Sequence, residues 1–69
     1  MGIIRAVVED RYAMEIHVRN METNEEIVFQ RYELIKYIDH TRLGEWLDVP
    51  ILYTSYNPCN MTLYIFIRR

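Results

Sequence analysis

The stretch from Ile51 to Ile67, ILYTSYNPCNMTLYIFI, decides how this chain folds. Two runs of β-branched and aromatic residues flank Asn57-Pro58-Cys59-Asn60, a turn sequence with proline at its second position and asparagine at both ends. The pattern predicts an antiparallel hairpin in which Tyr56 faces Met61. Successive residues of each strand then lie on opposite faces of the hairpin.

Both faces of this hairpin are rich in apolar side chains. One carries Tyr56, Thr54 and Leu52 beside Met61, Leu63, Ile65 and Ile67, and the other carries Ser55, Tyr53 and Ile51 beside Thr62, Tyr64, Phe66 and Arg68. On the second face Tyr53 is expected to pair with Tyr64, and Ile51 with Phe66. A single helix covers only one face, so three interpretations of the second face remain open. Other parts of the chain, such as the Trp46 segment, cover it; it binds a protein or a second copy; or its rings stack on nucleic-acid bases.

The N-terminal half also predicts strands. Met1 to Val8 is apolar apart from one arginine and suits a strand, and a second strand is expected from Tyr12, where polar and apolar residues alternate. A polar connection leads to Ile27–Phe29, which completes an N-terminal hairpin, the first of two in the chain.

The spacing of the apolar residues changes from that of a strand to that of a helix between the two hairpins. Leu34, Ile35 and Ile38 have the spacing of one helical face, but the apolar face drifts by about half a turn before Trp46. A straight helix cannot bury both groups, so a break is expected near residues 39–41, with Thr41 capping a short second turn. The predicted class is therefore α+β: a small antiparallel sheet of four to five strands with one main helix, in the order β-β-β-α-β-β.

Composition limits the chain to one domain, residues 1–69, without an evident cofactor. It has 69 residues, 51% of them hydrophobic, with a formal net charge of -2. The lone Cys59 forms no internal disulfide, and with His17 and His40 it falls short of the four ligands of a structural zinc site. A core this small needs self-association or dense aromatic packing, so a homo-oligomer, most simply a homodimer, is expected. The longest apolar run has only five residues, Leu63 to Ile67, which favours a soluble cytoplasmic protein, in the host cytoplasm if it is viral.

Signatures of catalysis are missing from the sequence. It contains no phosphate-binding glycine loop, HExxH, CxxC or GxSxG motif. Cys59 and His17 read as an ordinary thiol and a solvated side chain, and His40 as a residue favoured by the helix dipole. A non-enzymatic protein is therefore expected.

The remaining features indicate a protein-binding module, such as a phage or mobile-element inhibitor of a host protein that acts by occupying a surface. Its expected contact residues are Tyr53, Tyr64, Phe66, Arg68 and Trp46. A possible acidic patch consists of Glu22, Glu25 and Glu26, a cluster typical also of a plain solvated loop. The alternative is a single-stranded nucleic-acid binder using the sheet rings with Arg68 and Arg69, although the acidic balance makes nucleic acid the less favoured partner.

Overall fold

In the computed structural model, which describes residues 2–69, the chain forms a four-stranded sheet and three short α-helices. The elements in chain order are α1 (Ile3–Glu9), β1 (Glu15–Asn20), β2 (Glu26–Gln30), a 3-10 turn (Arg31–Glu33), α2 (Leu34–His40), α3 (Leu43–Trp46), β3 (Ile51–Asn57) and β4 (Thr62–Ile67). The α+β class is confirmed. None of the helices in residues 2–69 has the length and apolar character needed to cross a bilayer.

The sheet is mixed, and the prediction of an antiparallel sheet was wrong in this respect. Its strand order is β2-β1-β4-β3. The outer pairs β1–β2 and β3–β4 are antiparallel hairpins, while the two central strands β1 and β4 run parallel, with His17 opposite Tyr64. Side-chain alternation fixes which face a residue takes but leaves the direction of the neighbouring strand undetermined. As a consequence β2 and β3 run parallel at opposite edges of the sheet.

The first element is a helix, not the strand predicted for Met1 to Val8; Met1 itself lies outside the described residues. Ile3, Ala6 and Val7 are buried, while Ile4 and Val8 are exposed. These spacings of three and four residues are those of one helical face. An unbroken apolar run is compatible with either period, and packing against the sheet selected the helix.

The first hairpin forms as expected but begins later than predicted. Strand β1 starts at Glu15 rather than at Tyr12, and Ile16 and Val18 are fully buried. The side chains of Tyr12 and Met14 precede the strand and are exposed, at 72% and 47%. The alternation in the sequence therefore begins before the strand does, although the Met14 backbone already hydrogen-bonds to Met61 and Arg31.

The helical region breaks where the drift of the apolar face predicts a break. α2 ends at His40 and α3 begins at Leu43. Between them the Thr41 hydroxyl accepts the Leu43 backbone N–H at 3.1 Å, and it donates to the Tyr37 carbonyl at 2.6 Å. Thr41 thus caps the second helix, as expected of a threonine at this position.

One core, on the helical side of the sheet, unites the elements. Its buried apolar members are Ile3, Ala6, Val7, Ala13, Ile16, Val18, Phe29, Leu43, Trp46, Leu63, Ile65 and Ile67. Trp46 is fully buried in this cluster. It is therefore not available as a contact residue, and the sequence-based assignment of Trp46 to the partner-binding surface is corrected. The Trp46 segment folds inward.

Candidate functional site: the open face of the sheet

The second hairpin keeps its two predicted faces but not its predicted register. Asn57 lies opposite Thr62 and Tyr56 opposite Leu63, two residues away from the expected pairing of Tyr56 with Met61. Met61 belongs to the turn, where its φ of 53° is in the left-handed region. Because side chains alternate with a period of two, a shift of two residues leaves the paired side chains from Tyr53 to Asn57 and from Thr62 to Phe66 on their predicted faces.

A bulge in β3 changes the far end of the hairpin. The register shifts between Ile51 and Tyr53, so that Leu52 is an extra residue in the strand. Ile51 consequently packs against the core instead of lying on the second face. Tyr53 lies opposite Phe66, and the predicted pairing of Tyr53 with Tyr64 was wrong.

No helix of residues 2–69 packs on the face of the sheet opposite the core, and we call it the open face; Tyr64 and Phe66 are half-buried there, and Thr62 is buried. The buried side chains of α1 and α3 all belong to the core cluster on the other side. Val28 on one edge strand and Tyr53 on the other remain 39% and 54% exposed. Of the interpretations drawn from the sequence, cover of this face by the Trp46 segment is therefore excluded.

Four rings and one valine form a stripe across the open face from edge to edge. The Tyr53 and Phe66 rings stack with centroids 4.5 Å apart and planes 20° from parallel. Tyr64 contacts His17 at 4.9 Å between ring centroids, and Val28 lies opposite His17 in the register of β1 and β2. These five residues, the aromatic stripe, cross all four strands, a width of about 14 Å at ordinary strand spacing.

His17 belongs to the stripe, a role that sequence reasoning missed. Its side chain is only 20% exposed and lies between two carboxylates, with Nε2 2.9 Å from Glu15 and Nδ1 3.7 Å from Glu26. The alternation had placed His17 beside Glu15 on the polar face of its strand. What the sequence could not show was the parallel pairing with β4, which brings Tyr64 against the imidazole.

The carboxyl of Glu15, on this face, has a shifted pKa. Its hydrogen bond to His17 lowers the pKa of the Glu15 carboxyl below its usual value of 4.5, although partial burial acts in the opposite direction. A further hydrogen bond, donated by the Gln30 amide at 3.1 Å, also favours the ionised form. The stripe is therefore flanked by a fixed carboxylate at neutral pH.

The predicted acidic patch is largely neutralised in the fold. Glu22 lies 3.4 Å from Arg68, and Glu25 is paired with the guanidinium of Arg42. Glu26 is the carboxylate next to His17 on the open face. The three carboxylates therefore do not act as one free negative surface. Within residues 2–69 no group of three or more His, Cys, Asp or Glu side chains is arranged to hold a metal ion.

The predicted contact residues thus have three different positions. Tyr53, Tyr64 and Phe66 come together on the open face, Arg68 lies exposed just beyond the end of β4, and Trp46 is in the core. No family model, curated protein or solved structure matches the chain.

Proposed function

We propose that this chain is a non-enzymatic protein-binding module of the cytoplasm that binds its partner through the open face. The observation that supports this function is the partly exposed aromatic stripe on a face that no helix of residues 2–69 covers. Tyrosine and phenylalanine are enriched at protein interfaces, where a few buried rings supply most of the binding free energy. Mutual stacking already holds the Tyr53 and Phe66 rings in place, so binding would immobilise less side-chain freedom than it does for isolated exposed rings.

The charges around the stripe suggest what the partner presents. Glu15 and Glu26 flank one half of the open face, and Arg19 lies opposite Phe66 in the central pair of strands. An apolar centre with a polar rim of both signs is typical of protein interfaces. A complementary partner would place an apolar side chain on the rings and a basic group near the two glutamates. Such occupation of a surface is how small protein inhibitors act, including those of phages and mobile elements.

The alternative, a single-stranded nucleic-acid binder, has weaker support from the geometry. Its two arginines already have partners, because Arg68 lies 3.4 Å from Glu22 and Arg69 donates to the Glu45 carbonyl at 2.6 Å. The carboxylates at 2.9 and 3.7 Å from His17 would also repel a phosphate backbone on the same face.

The test compares two exposed tyrosines on different sides of the molecule. Tyr53 is 54% exposed on the open face, whereas Tyr32 is 81% exposed in the 3-10 turn. Immobilised wild-type chain, Tyr53→Ala and Tyr32→Ala are exposed to the same lysate, and the captured partner is then titrated with each variant. We expect Tyr53→Ala to weaken binding by about 10-fold or more and Tyr32→Ala to change it by less than about 3-fold.

Three results would count against the proposal. The first is that no partner is captured, and the second is that Tyr32→Ala weakens binding as much as Tyr53→Ala does. The third is binding of mixed single-stranded oligonucleotides that is lost on raising the salt and on Tyr53→Ala, which would favour the nucleic-acid alternative.

A further inference from the structure

We propose that two copies of this chain associate through β3, by antiparallel pairing of Tyr53–Asn57 with itself around a two-fold axis at Ser55. The starting observation is that β3 is an edge strand, bonded only to β4 within the sheet. Its outer edge therefore presents backbone N–H and carbonyl groups that have no strand partner in residues 2–69. Such an edge is a template for another strand.

The β3 edge lacks the features that usually prevent pairing. Four consecutive residues, 52–55, are exposed, and the strand sequence ILYTSYN contains no charge and no proline. Natural edge strands are commonly protected by charged side chains, proline or bulges. The one protective feature, the bulge at Leu52, lies at the start of the strand and leaves the register from Tyr53 to Asn57 regular.

No helix among residues 2–69 closes this edge from the core side. An open cleft of about 290 Å³ separates the C-terminal end of α1 from β3 and β4. Its lining includes Glu9 and Asp10 from the helical end and Thr54 from β3. The backbone of β3 can therefore be approached without displacing α1.

The absence of charge in β3 makes a second copy of this chain a fitting occupant of the edge. In a two-fold antiparallel pair a residue on the axis faces its own copy, so a charge there would meet a like charge. β3 carries no charged side chain, so pairing two copies of the strand brings no like charges of the strand together. With Ser55 on the axis, Tyr53 of each copy lies opposite Asn57 of the other. The smallest side chain of the segment occupies the most crowded position.

The dimer would extend the open face. A two-fold axis perpendicular to the sheet joins the two four-stranded sheets into one of eight strands, with both sets of helices on the same side. Each aromatic stripe ends at Tyr53, two residues from the axis, so the two stripes would end on opposite sides of the axis, about 14 Å apart along the strands. Dimerisation needs no other protein, so it can be tested whether or not the protein-binding function is correct.

The first experiment measures self-association directly. Sedimentation equilibrium from about 1 μM to about 1 mM covers the weak range expected of an edge contact of modest area. We expect a concentration-dependent dimer, and we expect Ser55→Lys to weaken it by about 10-fold or more because two like charges then meet at the axis. Thr23→Lys, the same change at an exposed position in the β1–β2 loop, should leave it unchanged.

A second experiment tests the register without relying on a destabilised dimer. Residues directly opposite one another in an antiparallel pair have Cα atoms about 4.5–5.5 Å apart, within the range of a disulfide. In a Cys59→Ser background, Ser55→Cys should form a covalent dimer on mild oxidation much faster than Thr23→Cys. The proposal is overturned if the wild-type chain stays monomeric over the whole concentration range, or if Ser55→Cys cross-links no faster than Thr23→Cys.

Discussion

Replacing Gly44 by alanine should destabilise the fold, although alanine is the better helix former. In an ordinary helix this change stabilises by about 1 kcal/mol. Here a Cβ on Gly44 would lie 2.6 Å from the backbone carbonyl oxygen of Ile38. A backbone carbonyl cannot rotate away as a side chain can, so α3 has to move away from α2.

The size of the effect follows from that movement. Ordinary van der Waals contact begins near 3.4 Å, so the two helices must separate by roughly 0.8 Å at this point. α3 carries Leu43 and Trp46, both fully buried, and their displacement disturbs the core. Overpacking of this kind costs about 2–3 kcal/mol, which leaves a net loss of about 1–2 kcal/mol after the gain in helix propensity.

Urea unfolding of Gly44→Ala followed by far-UV circular dichroism measures this loss. A domain of this length is stabilised by about 3–10 kcal/mol in total, so the transition should move visibly and Tm should fall by about 5–15 °C. Lys36→Ala, at an exposed position on α2, serves as the control and should change stability by less than about 0.5 kcal/mol. If Gly44→Ala is as stable as wild type or more so, the close approach of the two helices is not what requires glycine.

Three further changes probe other parts of the structure. Arg31→Ala should lower the free energy of unfolding, measured in urea, by about 2–3 kcal/mol, because the guanidinium donates to two backbone carbonyls of the loop before β1. Arg31→Lys should restore only part of this loss. Trp46→Ala should lower the free energy of unfolding by about 3–5 kcal/mol. Trp46→Phe should lower it clearly less, because phenylalanine keeps most of the volume and removes a buried indole N–H that has no partner in residues 2–69. Iodide should quench native Trp46 fluorescence only weakly, and strong quenching would contradict the burial of Trp46. The hydrogen bond from His17 lowers the pKa of the Glu15 carboxyl in the folded state. The stability that this ionised carboxyl contributes is therefore present above pH 4.5 and is lost as the pH falls through the lower folded pKa. Glu15→Gln should remove this part of the acid sensitivity in unfolding measured from pH 6 to pH 2, and an unchanged pH profile would refute the coupling.

Local pattern predicted the local features of this fold well. The two hairpins, the break between the helices and the capping role of Thr41 all depend on residues close together in the sequence. The two faces of the second hairpin were also predicted, because the actual register differs from the expected one by an even number of residues.

The errors come from features that only long-range packing decides. Ile3–Glu9 is apolar enough for a strand or a helix, and its place over the sheet selects the helix. The parallel pairing of β1 with β4 joins residues 47 positions apart in the sequence, such as Glu15 and Thr62, and nothing in either strand's alternation specifies it. His17 was missed as a site residue for the same reason, since its neighbour Tyr64 comes from that pairing.

The topology itself explains why one face of the sheet is left open. β2 and β3 lie at opposite edges and run in the same direction, so the connection between them, residues 31–50, has to cross the whole sheet. A connection can cross on only one side, and this one carries both α2 and α3 to the core face. α1 packs into the same core, which uses up the remaining helical residues. Residues 2–69 therefore place all three helices on one side of the sheet, and the rings of Tyr53, Phe66 and Tyr64 stay partly exposed on the other.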